Sequence, residues 1–325
     1  MSRAAEISSA LAQACREPQR FLGGAAYLDG HFVPLAEAAI PITDWGYRRS
    51  DVTYDVASVW QGSFFRLDDH IARFRQSMLG LRMSPPESDA DIKAIAMACV
   101  RLAQLRDAYV GMDCLRGRPR PGQPAHPAYA RNYLAVFARP FVWLISPEVQ
   151  QRGAHLVVAQ VPRVPDASFD PRIKNFQWGD LTRASFEAHD RGADAAVLLD
   201  ARGYVTEGPG YNVFAVIAGT VVVSDHGALE GITRRTVLEL CAELGIPSQV
   251  REYSVAELRG ADEIFLSTTA GGVMPVASLD GRTLGNGGPG EISSRLRATY
   301  WSKRAGGWHA TPVEYALPDL GSQNR

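Results

Sequence analysis

Lysine is rare in the first three hundred residues of this chain, where only Lys93 and Lys174 occur. Lys174 stands in Arg172-Ile173-Lys174-Asn175-Phe176-Gln177-Trp178-Gly179-Asp180, a stretch otherwise mostly apolar or amide-bearing. Surroundings of that kind disfavour an ammonium and leave the amine free to attack a carbonyl. The plainer alternative is a surface lysine whose stem lies on apolar neighbours while its head reaches water. Lys93, on a helix with charged neighbours, reads that way.

Four further segments add chemistry. In Thr206-Glu207-Gly208-Pro209-Gly210-Tyr211-Asn212, glycines bracket a proline after a carboxylate. That turn lets backbone approach a ligand, and a buried Glu207 needs a partner such as a protonated ring nitrogen. In Glu230-Gly231-Ile232-Thr233-Arg234-Arg235, Thr233 reads as a helix cap, with the first amides open to an anion such as phosphate. Ser267-Thr268-Thr269-Ala270-Gly271-Gly272, after a buried strand, offers hydroxyls and close backbone for a phosphate or carboxylate, or forms a plain turn. In Asp68-Asp69-His70-Ile71-Ala72-Arg73, Arg73 pairs with Asp69 four residues away or clamps a phosphate. Together the segments suggest a phosphorylated aldehyde cofactor.

Those residues must be positioned by elements that the sequence also outlines. Asp29-Gly30 joins strands Ala25 to Leu28 and His31 to Pro34, and Gln61-Gly62 joins Tyr54 to Trp60 and Ser63 to Leu67. Asp68 is the expected cap of a helix to about Leu81, and Ser88 of one to about Leu105. Strands follow at about Ala108 to Leu115 and Tyr133 to Ala138. Between them, Arg116 to Arg131 holds Pro119, Pro121, Pro124 and Pro127 and reads as an interdomain linker. The second half has strands at His155 to Val161, Ala195 to Leu199, Tyr204 to Glu207, Tyr211 to Ile217, Thr220 to Ser224 and Glu263 to Ser267. Helical spacing marks Thr233 to Leu244, stopped by Gly245, and Ile292 to Trp301. Hairpins dominate, without the strand-helix alternation of a doubly wound sheet.

A length of 325 residues predicts two domains, and 46% hydrophobic with 21% charged residues predicts a soluble globular chain. A net charge of -1 argues against nucleic acid and membrane partners. Cys15, Cys99, Cys114 and Cys241 lack metal or redox spacing and read as buried thiols, so no metal is expected. Met1 to Gln19 reads as a short amphipathic helix without a signal peptide's apolar core, and the longest apolar run, near Val213 to Val223, is too short to span a bilayer. A cytoplasmic location is the default expectation.

In this order, these segments resemble the class IV aminotransferases, the fold type IV pyridoxal-phosphate enzymes, over about residues 22 to 301. The resemblance implies an α+β, D-amino acid aminotransferase-like fold: a small N-terminal α+β domain at 1–116, a linker at 117–131, and a larger cofactor domain at 132–325 with a strand-rich pseudo-barrel. It implies that Lys174 is the Schiff-base lysine and proton carrier, and that Glu207 holds the pyridine nitrogen. Arg73, Ile232, Thr233, Thr268 and Thr269 would bind the cofactor at its phosphate. Ser50 to Val56, Ser58-Val59-Trp60 and Lys174 to Asp180 are most similar to the (R)-selective amine transaminases. That likeness implies transfer between a chiral (R)-amine and a keto acid such as pyruvate, in a homodimer. Tyr54, Val56, Tyr109, Trp178 and Ala270 would line the substrate pockets. A loop arginine would bind the carboxylate; Arg116, Arg118 and Arg120 compete, with Arg120 favoured. Arg48, Arg49 and Gly111 depart from the pattern and leave the substrate range open. D-amino-acid or branched-chain aminotransferase and aminodeoxychorismate lyase are the alternatives.

Overall fold

The computed structural model describes residues 2–317. They form two compact units. The first holds the chain through Val142, with Ile173–Gln177 and the stretch from Gly307; the second holds Trp143–Arg172 and Trp178–Gly306.

In the first unit, β1 (Ala25–Leu28), β2 (His31–Pro34), β3 (Val52–Trp60), β4 (Ser63–Phe65), β5 (Ala108–Leu115) and β6 (Tyr133–Pro140) form a sheet in the order β4-β3-β5-β6-β1-β2. The short strand Ala310–Pro312 adds outside β4. Both anticipated hairpins are present. Asp29 and Gly30 take φ of 45° and 98°, Gln61 and Gly62 take 51° and 80°, the paired left-handed conformations whose twist suits a two-residue turn.

Helices α1 (Arg3–Ala14), α2 (Trp45–Arg49), α3 (Leu67–Gly80) and α4 (Asp89–Ala103) belong to this unit. Leu67, Ile71, Phe74 and Met78 of α3 and Ile92, Ile95, Cys99 and Leu102 of α4 share a core with Ala57, Val59, Val110, Met112 and Val136 of the sheet. Strand side chains alternate between faces. Tyr54, Val56, Tyr109 and Asp113 therefore lie on the face that these helices leave uncovered.

Ser88 caps α4 through a reciprocal box with Asp91. Asp68 does not cap α3: the cap position is Arg66, in the left-handed region at φ 51°, and Asp68 lies in the first turn, where an acid complements the helix dipole. The expected linker at 117–131 is also corrected. Tyr133–Pro140 is a strand of the first sheet, paired to both β5 and β1, so the units divide at Val142.

The second unit contains α5 (Pro147–Arg152), β7 (Ala154–Val158), α6 (Gly179–Asp190), β8 (Ala195–Val197), β9 (Glu207–Gly208), β10 (Tyr211–Ile217), β11 (Thr220–Val223), α7 (Ile232–Leu244), β12 (Ser248–Val250), α8 (Val255–Arg259), β13 (Glu263–Thr268), β14 (Gly272–Leu279), β15 (Arg282–Thr283) and α9 (Glu291–Ala305). Its sheet runs β12-β11-β10-β13-β14-β7-β8, with β9 on β10 and β15 on β14. Hairpins build its middle, but β14–β7, β7–β8 and β11–β12 are parallel, a feature that the hairpin reading does not contain.

All four cysteines are buried and free. Among the described residues, no helix is long and apolar enough to cross a membrane, and no group of three His, Cys, Asp or Glu side chains is placed to hold a metal.

Candidate active site

The lysine segment belongs to the first unit. β4 pairs with β3 only at Val59 and Trp60, which leaves the other end of that strand edge open. Residues 174–176 take it. Tyr54 N donates to Lys174 O at 3.1 Å, Phe176 N donates to Val52 O at 3.2 Å, and Thr53 Oγ1 donates to Lys174 O at 2.7 Å. Lys174 N donates to Ser77 Oγ of α3 at 3.1 Å. With its backbone fixed, the half-buried side chain places Nζ 4.3 Å from the centroid of the Tyr54 ring, and Phe176 meets that ring edge-on at 5.1 Å. The face beside it carries Val56, paired with Gly111, and Tyr109, which stacks on Phe137 at 6.3 Å and lies under Arg139 at 4.7 Å. Burial pushes the Tyr109 phenol up to about 12.

Gly111 has a structural reason. A methyl group there would overlap the Phe137 ring, which sits directly across the ladder and covers the glycine.

Asp69 pairs with Arg66 at 3.0 Å. Arg73 Nε and Nη2 donate to Asp55 at 2.8 and 2.9 Å, and His70 Nδ1 lies 2.7 Å from Asp55 Oδ1. Asp55 is fully buried. Burial alone would raise its carboxyl, but Arg73 and His70 outweigh that and hold it well below the usual carboxylate range. Burial also lowers His70, against the pull of Asp55. Asp55 and His70 thus fix the guanidinium of Arg73 at one angle. Sequence reasoning missed Asp55; its one available signal was an acid inside an apolar strand.

Of the three loop arginines, Arg116 is locked. Its Nε and Nη2 bind Asp51 at 2.7 and 3.0 Å, and it donates to the carbonyls of Leu81 and Arg82 at 2.6 and 3.1 Å. Arg118 and Arg120 are exposed on the proline-rich loop, so the choice narrows to those two.

The second unit brings Glu207, the start of α7 and the end of β13 into one sheet neighbourhood. Glu207 is buried; its Oε1 accepts from Arg163 Nε and Nη2 at 3.2 and 3.0 Å, and Oε2 accepts from Leu229 N at 3.0 Å. Arg163 Nη1 also donates to Asp180 at 2.6 Å. The reading of Glu207 as a carboxylate awaiting a partner omitted Arg163, although two buried acids in this half demand a cation.

Thr233 does not cap α7. Gly231 occupies the cap position, where a methyl would overlap Asn212 Oδ1, and Thr233 is buried in the first turn. No side chain caps the helix, so the amides of Ile232 and Thr233 remain donors without intrahelical acceptors. Asn212 ties this loop to β10 by donating to Leu229 O at 2.8 Å.

At the end of β13, Thr268 Oγ1 donates to Gly210 O at 2.8 Å, which ties the two turns together. Thr269 and Ala270 are partly exposed. Ser267 Oγ is buried without a hydrogen-bond partner and sits opposite Asn212 in the ladder. Trp178, at the start of α6, lies beside Gly210.

An orphaned buried hydroxyl, uncapped amides and a buried carboxylate suit a ligand with an anionic end and a basic ring atom. The Amino-transferase class IV model matches residues 53–279. The chain belongs to the class IV aminotransferases. It is 30% identical to D-alanine aminotransferase of Bacillus licheniformis, over 83% of this chain and 93% of that one. It is also 30% identical to the branched-chain-amino-acid aminotransferase of Pseudomonas aeruginosa, over 75% and 80%. Among solved structures, a branched-chain amino acid aminotransferase of T.th. with pyridoxamine 5'-phosphate superposes with a TM-score of 0.83 at 29% identity, covering 90% of this chain and 99% of that one. These matches agree with the expected α+β, fold type IV architecture.

Proposed function

We propose that this aminotransferase uses pyridoxal 5'-phosphate to move an amino group between a chiral (R)-amine and a keto acid such as pyruvate. The observation that carries the reading is the Lys174 amine, held by a backbone-paired segment against the Tyr54 ring on the largely aromatic and aliphatic sheet face opposite α3 and α4. That face suits an aryl or alkyl substituent.

The cofactor, when bound, supplies an electron sink for the charge left as the substrate C–H proton departs. The residues do the rest. Lys174 Nζ would hold the aldehyde end and would take up the proton that leaves the substrate carbon. Glu207, steadied by Arg163 and Leu229 N, would hold the ring nitrogen. Arg73, aligned by Asp55, and the amides of Ile232 and Thr233 would hold the phosphate, with Thr269 and the unpartnered Ser267 hydroxyl as further donors. Tyr54, Val56, Tyr109, Trp178 and Ala270 would line the substrate. Arg120 on its exposed loop reaches the carboxylate of the keto acid and withdraws for an apolar amine, which avoids burying an unpaired guanidinium. The active form is a homodimer; exposed Ile42 and Tyr47, at 77% and 67%, are apolar surface of the kind such an assembly covers.

A second reading has support from the relatives, which are named as D-alanine and branched-chain aminotransferases. The deciding experiment is a panel of both enantiomers of aryl-alkyl and alkyl amines, set against D- and L-alanine and leucine, with the matching keto acid as acceptor. Turnover of (R)-amines above the amino acids is expected. Amino acid turnover alone would overturn the amine assignment, and pyruvate released without a second substrate would mark a lyase. Lys174→Ala should lose about 10²- to 10⁴-fold or more in rate.

A further inference from the structure

The face of the first sheet opposite α3 and α4 holds a carboxylate that none of these roles uses. Asp113 on β5 is in register with Tyr54 on β3 and with Ala135 on β6. Residues opposed across an antiparallel ladder share a face, with Cβ atoms about 5 Å apart. Asp113 is therefore a lateral neighbour of Tyr54, and the Tyr54 ring carries Lys174 Nζ at 4.3 Å. Two residues along β5 the side is Gly111, which presents no side chain of its own.

Asp55, on the other face of β3, shows what a satisfied carboxylate looks like in this unit: two guanidinium bonds, a histidine and a backbone amide hold it. The Asp113 carboxyl has none of these and makes no hydrogen bond or ion pair among the described residues. It retains partial exposure, while burial pushes its carboxyl up to about 7. A carboxyl in such a place lacks the donor that buried polar groups ordinarily find.

We propose that Asp113 is a specificity-determining residue, selecting amino donors that carry a second hydrogen-bond-donating group, an ammonium or a hydroxyl, on the substituent lying along the Tyr54 face. The inference rests on the aminotransferase reading and deepens it. A diamine or amino alcohol supplies the missing donor. A hydrocarbon amine of the same length leaves the carboxyl unpaired, and sites built to hydrogen-bond a substrate group discriminate against analogues that lack it.

The test compares wild type, Asp113→Leu and Asp113→Asn on matched donors. One set is 2-aminohexane against the diamine and amino alcohol of equal length, with pyruvate. The other is norleucine against lysine, as D and L forms, so that a ratio exists even without amine turnover. Wild type should favour the donor-bearing member of each pair. Asp113→Leu should cut that ratio in kcat/KM by about 10- to 100-fold, and Asp113→Asn should keep the preference for hydroxyl while losing that for ammonium. An unchanged ratio, or an equal fall for both members, overturns the proposal; the latter marks a purely structural role. A gain on amino acids without loss of the donor preference also overturns it, in favour of simple repulsion of the substrate carboxylate. Wild-type turnover confined to amino acids would remove the (R)-amine reading and leave the norleucine–lysine ratio to decide this one.

Discussion

Asp55 shows how much a single side chain organises. Its carboxylate is fully buried and bound by Arg73 and His70, so removing it takes away two Arg73 hydrogen bonds and the His70 contact. Breaking one partner out of a buried ion pair costs about 3–5 kcal/mol. Asp55→Asn should lose about 3 kcal/mol in urea unfolding at pH 7 and bind pyridoxal phosphate more weakly, read by titrating the apoprotein. The pH dependence has a definite sign. Asp55 is held below its ordinary 3.8, so the stability it contributes is present above that pH and is lost as pH falls below it. His70, lowered from 6.5 by burial, acts in the same direction, because its charging on acidification favours the unfolded chain. The gap between wild type and Asp55→Asn should therefore narrow at pH 3.5; an equal gap at both pH values would contradict the ion-pair account.

Elements set limits that residues alone do not reveal. Gly111 looks like a departure in substrate range when read along the chain, yet on β5 it is the seat of the Phe137 ring. Gly111→Ala forces that ring to move and should cost about 1–3 kcal/mol, the usual penalty for overpacking. Combining it with Phe137→Leu should recover part of the loss, a coupling readable by a double-mutant cycle in thermal unfolding. Additive losses would mean that the glycine serves the backbone instead. The lysine segment makes a similar point. Residues 174–176 behave as an edge strand on β3, so their position depends on ladder bonds to Val52 and Tyr54 and on Ser77 of α3.

At the scale of the molecule, a ligand that binds only the folded chain stabilises it by mass action. Pyridoxal phosphate at about a hundred times its Kd should add about 2.7 kcal/mol, which for domains of this size is a rise of about 5–10 °C in Tm. The check is a melt of stripped protein with increasing cofactor, repeated with Lys174→Ala. The variant should retain part of the shift through its phosphate contacts. A Tm indifferent to the cofactor would count against the proposed binding residues.

Local chemistry determined what the sequence made legible. Turn pairs such as Asp29-Gly30, the Ser88–Asp91 box and the Gly245 stop act over two to four residues, so their outcome is written in neighbouring side chains. Asp68 and Thr233 misled as caps because Arg66 and Gly231 hold those positions, one by a left-handed backbone, the other by the closeness of Asn212. Strand β14 stayed hidden because Pro275 and the glycines before it mask a segment that is buried at all eight positions. The cofactor chemistry was legible in the order of the motifs, and the family match agrees with it. Only the tertiary structure decided that Lys174 pairs with β3, that Arg73 answers to Asp55, and that Arg163 steadies Glu207, because those partners are separated by 18 to 121 residues. Pairing over such distances is set by which strands and helices pack together, which no short window of sequence encodes.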